Sequence, residues 1–342
     1  MSGSATDFDV GRLEACLLGR IDGFRGPVEV VKFPGGQSNP TYLLTAPEQR
    51  AVLRRKPFGD VLSSAHAIDR EYKVMLALRE TEVPVASPLL LCEDASIIGA
   101  DFYVMSFEDG RIFTDPALPE LTKGARLEVY QELVRTLAAL HEVDVQAVGL
   151  SGFGKPGNYF ERQLSRWTKQ YRATETEHID EVERLIYWLG THIPADEGAA
   201  RIIHGDYRLD NCIYDSHRPT IRAVLDWELS TLGHPMADIG HLCMTLDLPD
   251  LGILKGLGGC SRAELGVPSD EELIDYYCAA RQISVPPQLN FYLAFAFFRY
   301  AAIAQGVFKR AQDGNASNTN ALQMGAVVKP LAELALERSS RA

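Results

Sequence analysis

The first third of the chain alternates short apolar or β-branched runs with turn formers. Residues 28–33 read as a strand. Pro34-Gly35-Gly36-Gln37-Ser38-Asn39-Pro40 reads as a turn, and residues 42–45 and 51–54 as two further strands. The turn at 34–40 therefore joins antiparallel strands. A helix over about residues 65–80 follows, with Ile68, Tyr72, Met75, Leu76 and Leu78 near the helical period, and Glu82-Val83-Pro84-Val85 ends it. Residues 89–92 and 102–107 return to the extended pattern before the turn at Asp109-Gly110.

From about residue 110 the period becomes helical. Residues 126–141 place Leu127, Tyr130, Leu133, Val134, Leu137 and Leu140 on one face, and residues 160–171 and 178–191 read as two more helices. A strand-rich island at 201–204, 212–214 and 221–226 interrupts them, and the chain from Ala237 onward is again mostly helical. No internal repeat is present. The pattern predicts an α+β chain, with a small antiparallel β-rich region over 1–107 and a larger, mainly helical region over 108–342.

Composition narrows the picture. The chain has 342 residues, 46% of them hydrophobic, enough for a sizeable core. Its net charge of -12 disfavours nucleic acid or an anionic membrane as a main partner. The first ten residues lack a basic segment followed by an apolar run, so no signal peptide is expected. Six scattered cysteines with no CxxC pair suggest reduced thiols in the cytoplasm and no zinc site. Residues 291–307 are nearly all apolar, but Arg299 lies in their middle. A buried core helix is expected there, not a membrane span.

The sharpest chemistry lies in His204-Gly205-Asp206-Tyr207-Arg208-Leu209-Asp210-Asn211, between two short apolar runs, with Asp226 ending the run Ala223-Val224-Leu225. Phosphoryl transfer needs one carboxylate to orient the attacking hydroxyl and accept its proton. It also needs oxygen donors to hold magnesium against the phosphates. Asp206 suits the first task, and Asn211 and Asp226 the second. Asp and Asn also favour loops for purely local reasons, so it is the order and spacing of all three that points to catalysis.

These two segments, with Leu225-Asp226-Trp227-Glu228, resemble the signature of the aminoglycoside-phosphotransferase and choline-kinase superfamily. The nearest likeness is to the kinase-like domain associated with acyl-CoA dehydrogenases. Gly35 to Tyr42, Val52 to Pro57, Asp69-Arg70-Glu71 and Gly99 to Met105 extend the resemblance over about residues 30–310. It implies a protein-kinase-like two-lobed fold that uses ATP and Mg2+. Gly36, Gln37, Ser38 and Asn39 would cover the phosphates. Val52 and Arg54 would face the nucleotide, with Glu71 as the ion-pair partner of the basic residue. Arg54 stands where many relatives carry Lys, and Lys56, on the same strand face, is a second candidate for the phosphates. Met105, Ser106 and Phe107 would lie beside the adenine, although Met105 and Phe107 also suit a core. His204 and Asp238 would brace the catalytic loop. His141 reads as a helix cap or interlobe contact, and Arg299 calls for a partner such as Asp238 or Asp247.

The implied reaction is phosphorylation of a hydroxyl on a small-molecule alcohol, of hydroxyacyl type. An aminoglycoside kinase and an inactive kinase-like binding module are the alternatives. A polycationic acceptor would need a carboxylate-rich cleft, and the acidic runs at 175–177 and 180–183 are available but equally suit a solvated helix face. A substrate bearing phosphates would need basic residues in the helical region, where Lys255 and Lys309-Arg310 are thin candidates.

Overall fold

The computed structural model describes residues 7–34, 39–58, 68–195, 200–250, 255–314 and 320–340. The chain forms two compact units. One comprises Met1–Arg111 with Cys212–Ser230, the other Ile112–Asn211 with Thr231–Ala342. A contiguous division at 107/108 therefore differs from the structure, because Cys212–Ser230 packs with the first unit.

The first unit is built on a five-stranded antiparallel sheet in the order β1-β2-β3-β5-β4. Its strands are β1 (Glu29–Lys32), β2 (Thr41–Thr45), β3 (Arg50–Arg55), β4 (Pro88–Cys92) and β5 (Phe102–Ser106). Strand alternation divides the side chains of β3 between two faces. Ala51 and Leu53 join a core with Leu13 and Leu17 of α1 (Val10–Leu17), Tyr42, Phe102 and Val104. Arg54 points the other way, toward α2 (Ile68–Leu78). Arg55 is buried on the core side because its charge is met by Asp7 and its Nε donates to the Tyr42 hydroxyl. The hairpin β7 (Cys212–Tyr214) and β8 (Ile221–Val224) joins this unit through bridges from Val224 to Val85 and from Tyr214 to Arg111.

The second unit is mostly helical. Its helices are α3 (Lys123–Glu142), α4 (Tyr159–Thr174), α5 (Asp180–Thr191), α6 (Met236–Asp247), α7 (Arg262–Leu265), α8 (Asp270–Arg281), α9 (Leu289–Gln312) and α10 (Gly325–Ser340). Capping fixes several starts. Thr122 accepts the Ala125 N–H at the head of α3, and Ser269 with Glu272 forms a reciprocal capping box on α8. β6 (Arg201–Ile203) and β9 (Thr231–Gly233) form a two-stranded antiparallel ribbon. By length and composition α9 could cross a membrane, but 72% of its most apolar window is buried, and it packs on α4, α6 and α10. Asp247 is held by Arg262 and Arg338, and so is not the partner of Arg299.

Candidate active site

In the second unit β6 ends at Ile203 and the chain turns through His204-Gly205-Asp206. Gly205 has φ +85°, a backbone conformation that residues with a Cβ rarely adopt. Asp238, fully buried in the first turn of α6, accepts the N–H groups of His204 at 2.7 Å and Gly205 at 2.8 Å. His204 is also fully buried, and its Nδ1 accepts the Asp206 N–H at 3.2 Å. Tyr207 anchors the next turn by donating its hydroxyl to the Leu133 carbonyl at 2.8 Å. Arg299 donates to the Gly205 carbonyl at 2.7 Å; it braces the loop and does not pair with Asp238 or Asp247. His141 is not a cap. It is buried between the Tyr277 hydroxyl and Asp238, at 2.7 and 3.2 Å.

Asp206 is thereby presented with both oxygens engaged. Asn211 Nδ2 donates to Asp206 Oδ2 at 3.1 Å and to its backbone carbonyl at 2.9 Å, and His241 Nε2 lies 2.9 Å from Oδ1. Burial pushes the Asp206 carboxyl up, but the His241 hydrogen bond and the nearby Arg208 guanidinium outweigh it. The group is held below the usual carboxylate range and is ionised at neutral pH.

In the first unit Arg54 is the hub. Its guanidinium lies 3.3 Å from Glu71, 2.7 Å from Asp226 and 3.6 Å from Glu228. Glu71 is fixed further by Asn39 Nδ2 at 3.0 Å and the Tyr103 hydroxyl at 2.9 Å. Burial pushes the Glu71 carboxyl up to about 7, against the pull of Arg54. Lys56 lies beyond the end of β3 and pairs with Asp101 at 2.7 Å, so Arg54 alone reaches the helix Glu. Val52 faces Met105 across the β3–β5 register, and both are buried. The Ser106 N–H is taken by the Ser87 carbonyl at 2.8 Å, and the Phe107 ring is covered by the Arg50 guanidinium. Gly36, Gln37 and Ser38 lie outside the described residues.

The family model for the phosphotransferase enzyme family matches residues 29–291. The chain belongs to that family. The chain is 46% identical over 319 residues to mouse acyl-CoA dehydrogenase family member 10, covering 92% of this chain and 30% of that protein. It is 42% identical over 339 residues to human acyl-CoA dehydrogenase family member 11, covering 98% and 43%. The chain thus spans less than half of these curated relatives. Among solved structures, a chain from Ralstonia eutropha JMP134, provisionally named an aminoglycoside phosphotransferase, superposes with a TM-score of 0.89 at 46% identity. That match covers 97% of this chain and 98% of the other. The aminoglycoside phosphotransferase APH(4)-Ia, in a ternary complex with AMP-PNP and hygromycin B, shares the fold at a TM-score of 0.63 and 13% identity, covering 96% and 99%. The kinase-like fold expected from the sequence is therefore the fold of the chain.

Each unit presents oxygen donors suited to a hard divalent cation, Asn211 in the second and Asp226 in the first. Asn211 commits its amide nitrogen to Asp206, and its carbonyl oxygen accepts no hydrogen bond from a described residue. Asp226 gives one oxygen to Arg54, is about a third exposed, and sits at φ +64°. A non-glycine residue in that region is under backbone strain, which clusters at functional positions. One guanidinium faces three carboxylates, so the cluster in the first unit carries an excess of negative charge that a magnesium ion would relieve. His241, Arg299 and Tyr207 were not assigned to the site from sequence. Two of them left a signal: Asp238-Ile239-Gly240-His241 puts His241 one helical turn from Asp238, and Arg299 interrupts an apolar run.

Proposed function

We propose that this protein transfers the terminal phosphoryl group of ATP, with Mg2+, to a hydroxyl of a small molecule of hydroxyacyl type. The observation that carries the reading is the ionised Asp206 carboxylate, held by Asn211 and His241 on a loop whose backbone is braced by Asp238. Bound Mg2+ and ATP supply the phosphoryl group and neutralise charge on it. Asp206 orients the acceptor hydroxyl and takes its proton as the new oxygen–phosphorus bond forms and the bond to the ADP oxygen breaks. Arg54 would draw the phosphates, and Asn211 and Asp226 are the residues that would offer oxygen atoms to the metal. An inactive binding module would have no need of all three polar residues.

The acceptor side favours an anionic molecule over a polycation. A cavity of about 410 Å³ in the second unit is walled by Tyr159, Tyr292, Met236 and Pro286, and Lys155, Arg201 and Arg281 also line it. The Lys155 ammonium and Arg201 guanidinium make no hydrogen bond or ion pair with a described residue. Arg201 opens β6, and the catalytic loop follows its other end roughly 10 Å away. The next groove along α4 adds Arg162, Arg166 and Lys169. These cations, and not Lys255, which pairs with Asp115, form the basic surface a charged acyl compound would use. Two of the acidic residues available for a polycation are already paired, Glu183 with Arg172 and Glu181 with Lys329. The names of the curated relatives agree with an acyl-type acceptor. All six cysteines are free thiols, which supports a reducing, cytoplasmic setting.

The test is thermal stabilisation by ATP with and without magnesium, followed by turnover with hydroxyacyl compounds. The wild type should rise in transition temperature only with magnesium, and Asp226→Ala should lose that rise. Asp206→Ala should keep ATP binding and lose turnover by a factor of about 10² or more. Normal turnover in Asp206→Ala would defeat the assignment.

A further inference from the structure

One face of α6 reaches the catalytic loop twice. Asp238 accepts two loop N–H groups, and His241, three residues later, meets the Asp206 side chain at 2.9 Å. Residues three apart on a helix lie on the same side, so a single rigid surface fixes both the loop backbone and its reactive carboxylate. His241 is only 6% exposed. The helix beneath it is seated closely on α9, since a Cβ at Gly240 would stand 2.7 Å from the Tyr292 carbonyl oxygen.

The loop backbone does not depend on His241. Asp238, Tyr207 and Arg299 already hold it through backbone groups. What His241 adds is a restraint on the carboxylate itself. An ionised carboxylate only accepts hydrogen bonds, so the imidazole must carry its proton on Nε2. With Nε2–H on Oδ1 and Asn211 Nδ2 on Oδ2, rotation of the carboxylate plane is stopped from both sides.

We propose that His241 is a positioning residue for phosphoryl transfer, locking Asp206 so that the remaining acceptor direction of Oδ2 faces the incoming hydroxyl. The proposal rests on the phosphotransferase reading of Asp206. A misplacement of about 1 Å at a reacting group costs up to about 10²-fold in rate. Asn211 still restrains the carboxylate when His241 is lost, so the expected cost is roughly 10- to 100-fold.

The experiment has two independent readouts on the full chain. Nitrogen NMR of imidazole-labelled protein should show His241 as the Nε2–H tautomer, with its resonance shifted by Asp206→Asn. Turnover is measured as ADP release from Mg-ATP, with water and with hydroxyacyl compounds as acceptors. His241→Ala should lower kcat within the range above and leave KM for ATP within about twofold, because it does not touch the nucleotide residues. His241→Gln, whose amide N–H can approach the place of Nε2, should recover most of the rate. The proposal is overturned if His241→Ala keeps kcat within threefold of wild type. It is overturned equally if the glutamine variant is no better than alanine and both only lower the melting temperature, or if the Asp206→Asn change leaves the imidazole resonance unmoved. A wild type that releases no ADP with any acceptor sinks the phosphotransferase reading and the positioning role together, while the NMR contact still stands.

Discussion

Replacing Asp238 by alanine removes the acceptor that ties the catalytic loop to α6. The carboxylate is fully buried and takes N–H groups from His204 at 2.7 Å and Gly205 at 2.8 Å, with His141 Nε2 at 3.2 Å. Burial pushes its carboxyl up, yet the His141 hydrogen bond and the His204 N–H hold it below the ordinary range. Each hydrogen bond to a charged group contributes about 1.5–3 kcal/mol, and a buried donor left unsatisfied costs about 1–3 kcal/mol. Two stranded N–H groups therefore put the loss at roughly 3–6 kcal/mol, a large share of the ~5–15 kcal/mol that holds an ordinary domain together. In calorimetry this corresponds to a fall of about 6–24 °C in the transition temperature for a unit of this size. Asp238→Asn keeps one carbonyl acceptor and should lose about half as much. The reasoning is refuted if Asp238→Ala melts within about 2 °C of wild type, a shift worth less than one hydrogen bond.

Arg54→Ala should weaken Mg-ATP binding by roughly 10- to 100-fold through loss of a charge-assisted phosphate contact. Lys56→Ala, which breaks a partly exposed pair with Asp101, should leave ATP affinity within about twofold and cost under about 1 kcal/mol of stability; equal effects in an ATP titration would refute the distinction. Glu71 has its carboxyl raised from 4.5 to about 7, so the folded state holds this proton more tightly than the unfolded chain, and its contribution to stability is lost as pH rises through that window. Glu71→Gln mimics the protonated form, and its stability relative to wild type should rise by up to ~3 kcal/mol between pH 5 and pH 8 in urea titrations; parallel curves would show that the carboxyl is not raised. Removing both Lys155 and Arg201 should raise KM for a hydroxyacyl acceptor by at least about tenfold with KM for ATP unchanged; an unchanged acceptor KM would move the acceptor away from that cavity.

The segment His204 to Asn211 stood out in the sequence because phosphoryl transfer needs particular residue types at fixed spacing within one short stretch. The sheet was readable because alternation in 41–45 and 50–55 is a local property of the chain. What the sequence concealed depends on distant partners. Cys212–Ser230 follows the catalytic loop directly, yet its hairpin joins the first unit through bridges to Val85 and Arg111, residues a hundred or more positions away. Arg299 invited a search for a carboxylate, and its partner is a backbone carbonyl, which every residue has. His141 carried a similar ambiguity, since a histidine near a helix end suits a cap until Tyr277 and Asp238 are seen to enclose it. β9 is three residues long, too short for any period to register. α1 did leave signals, with Leu13 and Leu17 one turn apart behind an Asp9 cap.

The choice between Arg54 and Lys56 shows where alternation stops being informative. Positions 52, 54 and 56 share a face only while the strand continues, and β3 ends at Arg55. Lys56 is then free to turn toward Asp101. The charge around Arg54 accounts for the residue type at that position. A lysine offers one compact charge, whereas a guanidinium presents donors in a planar fork. Arg54 uses that fork to face Glu71 through Nε and Asp226 and Glu228 through Nη2. A lysine at 54 would satisfy one of these carboxylates and leave the others less compensated. The same geometry gives the site a bias: Nε lies near Glu71 without a well-aligned hydrogen bond, and negative charge exceeds positive. The cluster is therefore balanced when a divalent cation arrives at Asp226 and phosphate arrives at Arg54, and it is uncompensated when either comes alone. Magnesium and ATP should accordingly bind with positive coupling, and Asp226→Asn, which removes one negative charge without removing volume, should abolish that coupling while improving metal-free ATP binding. An ATP affinity in Asp226→Asn that still rises with magnesium as it does in the wild type would show that the charge excess around Arg54 plays no part.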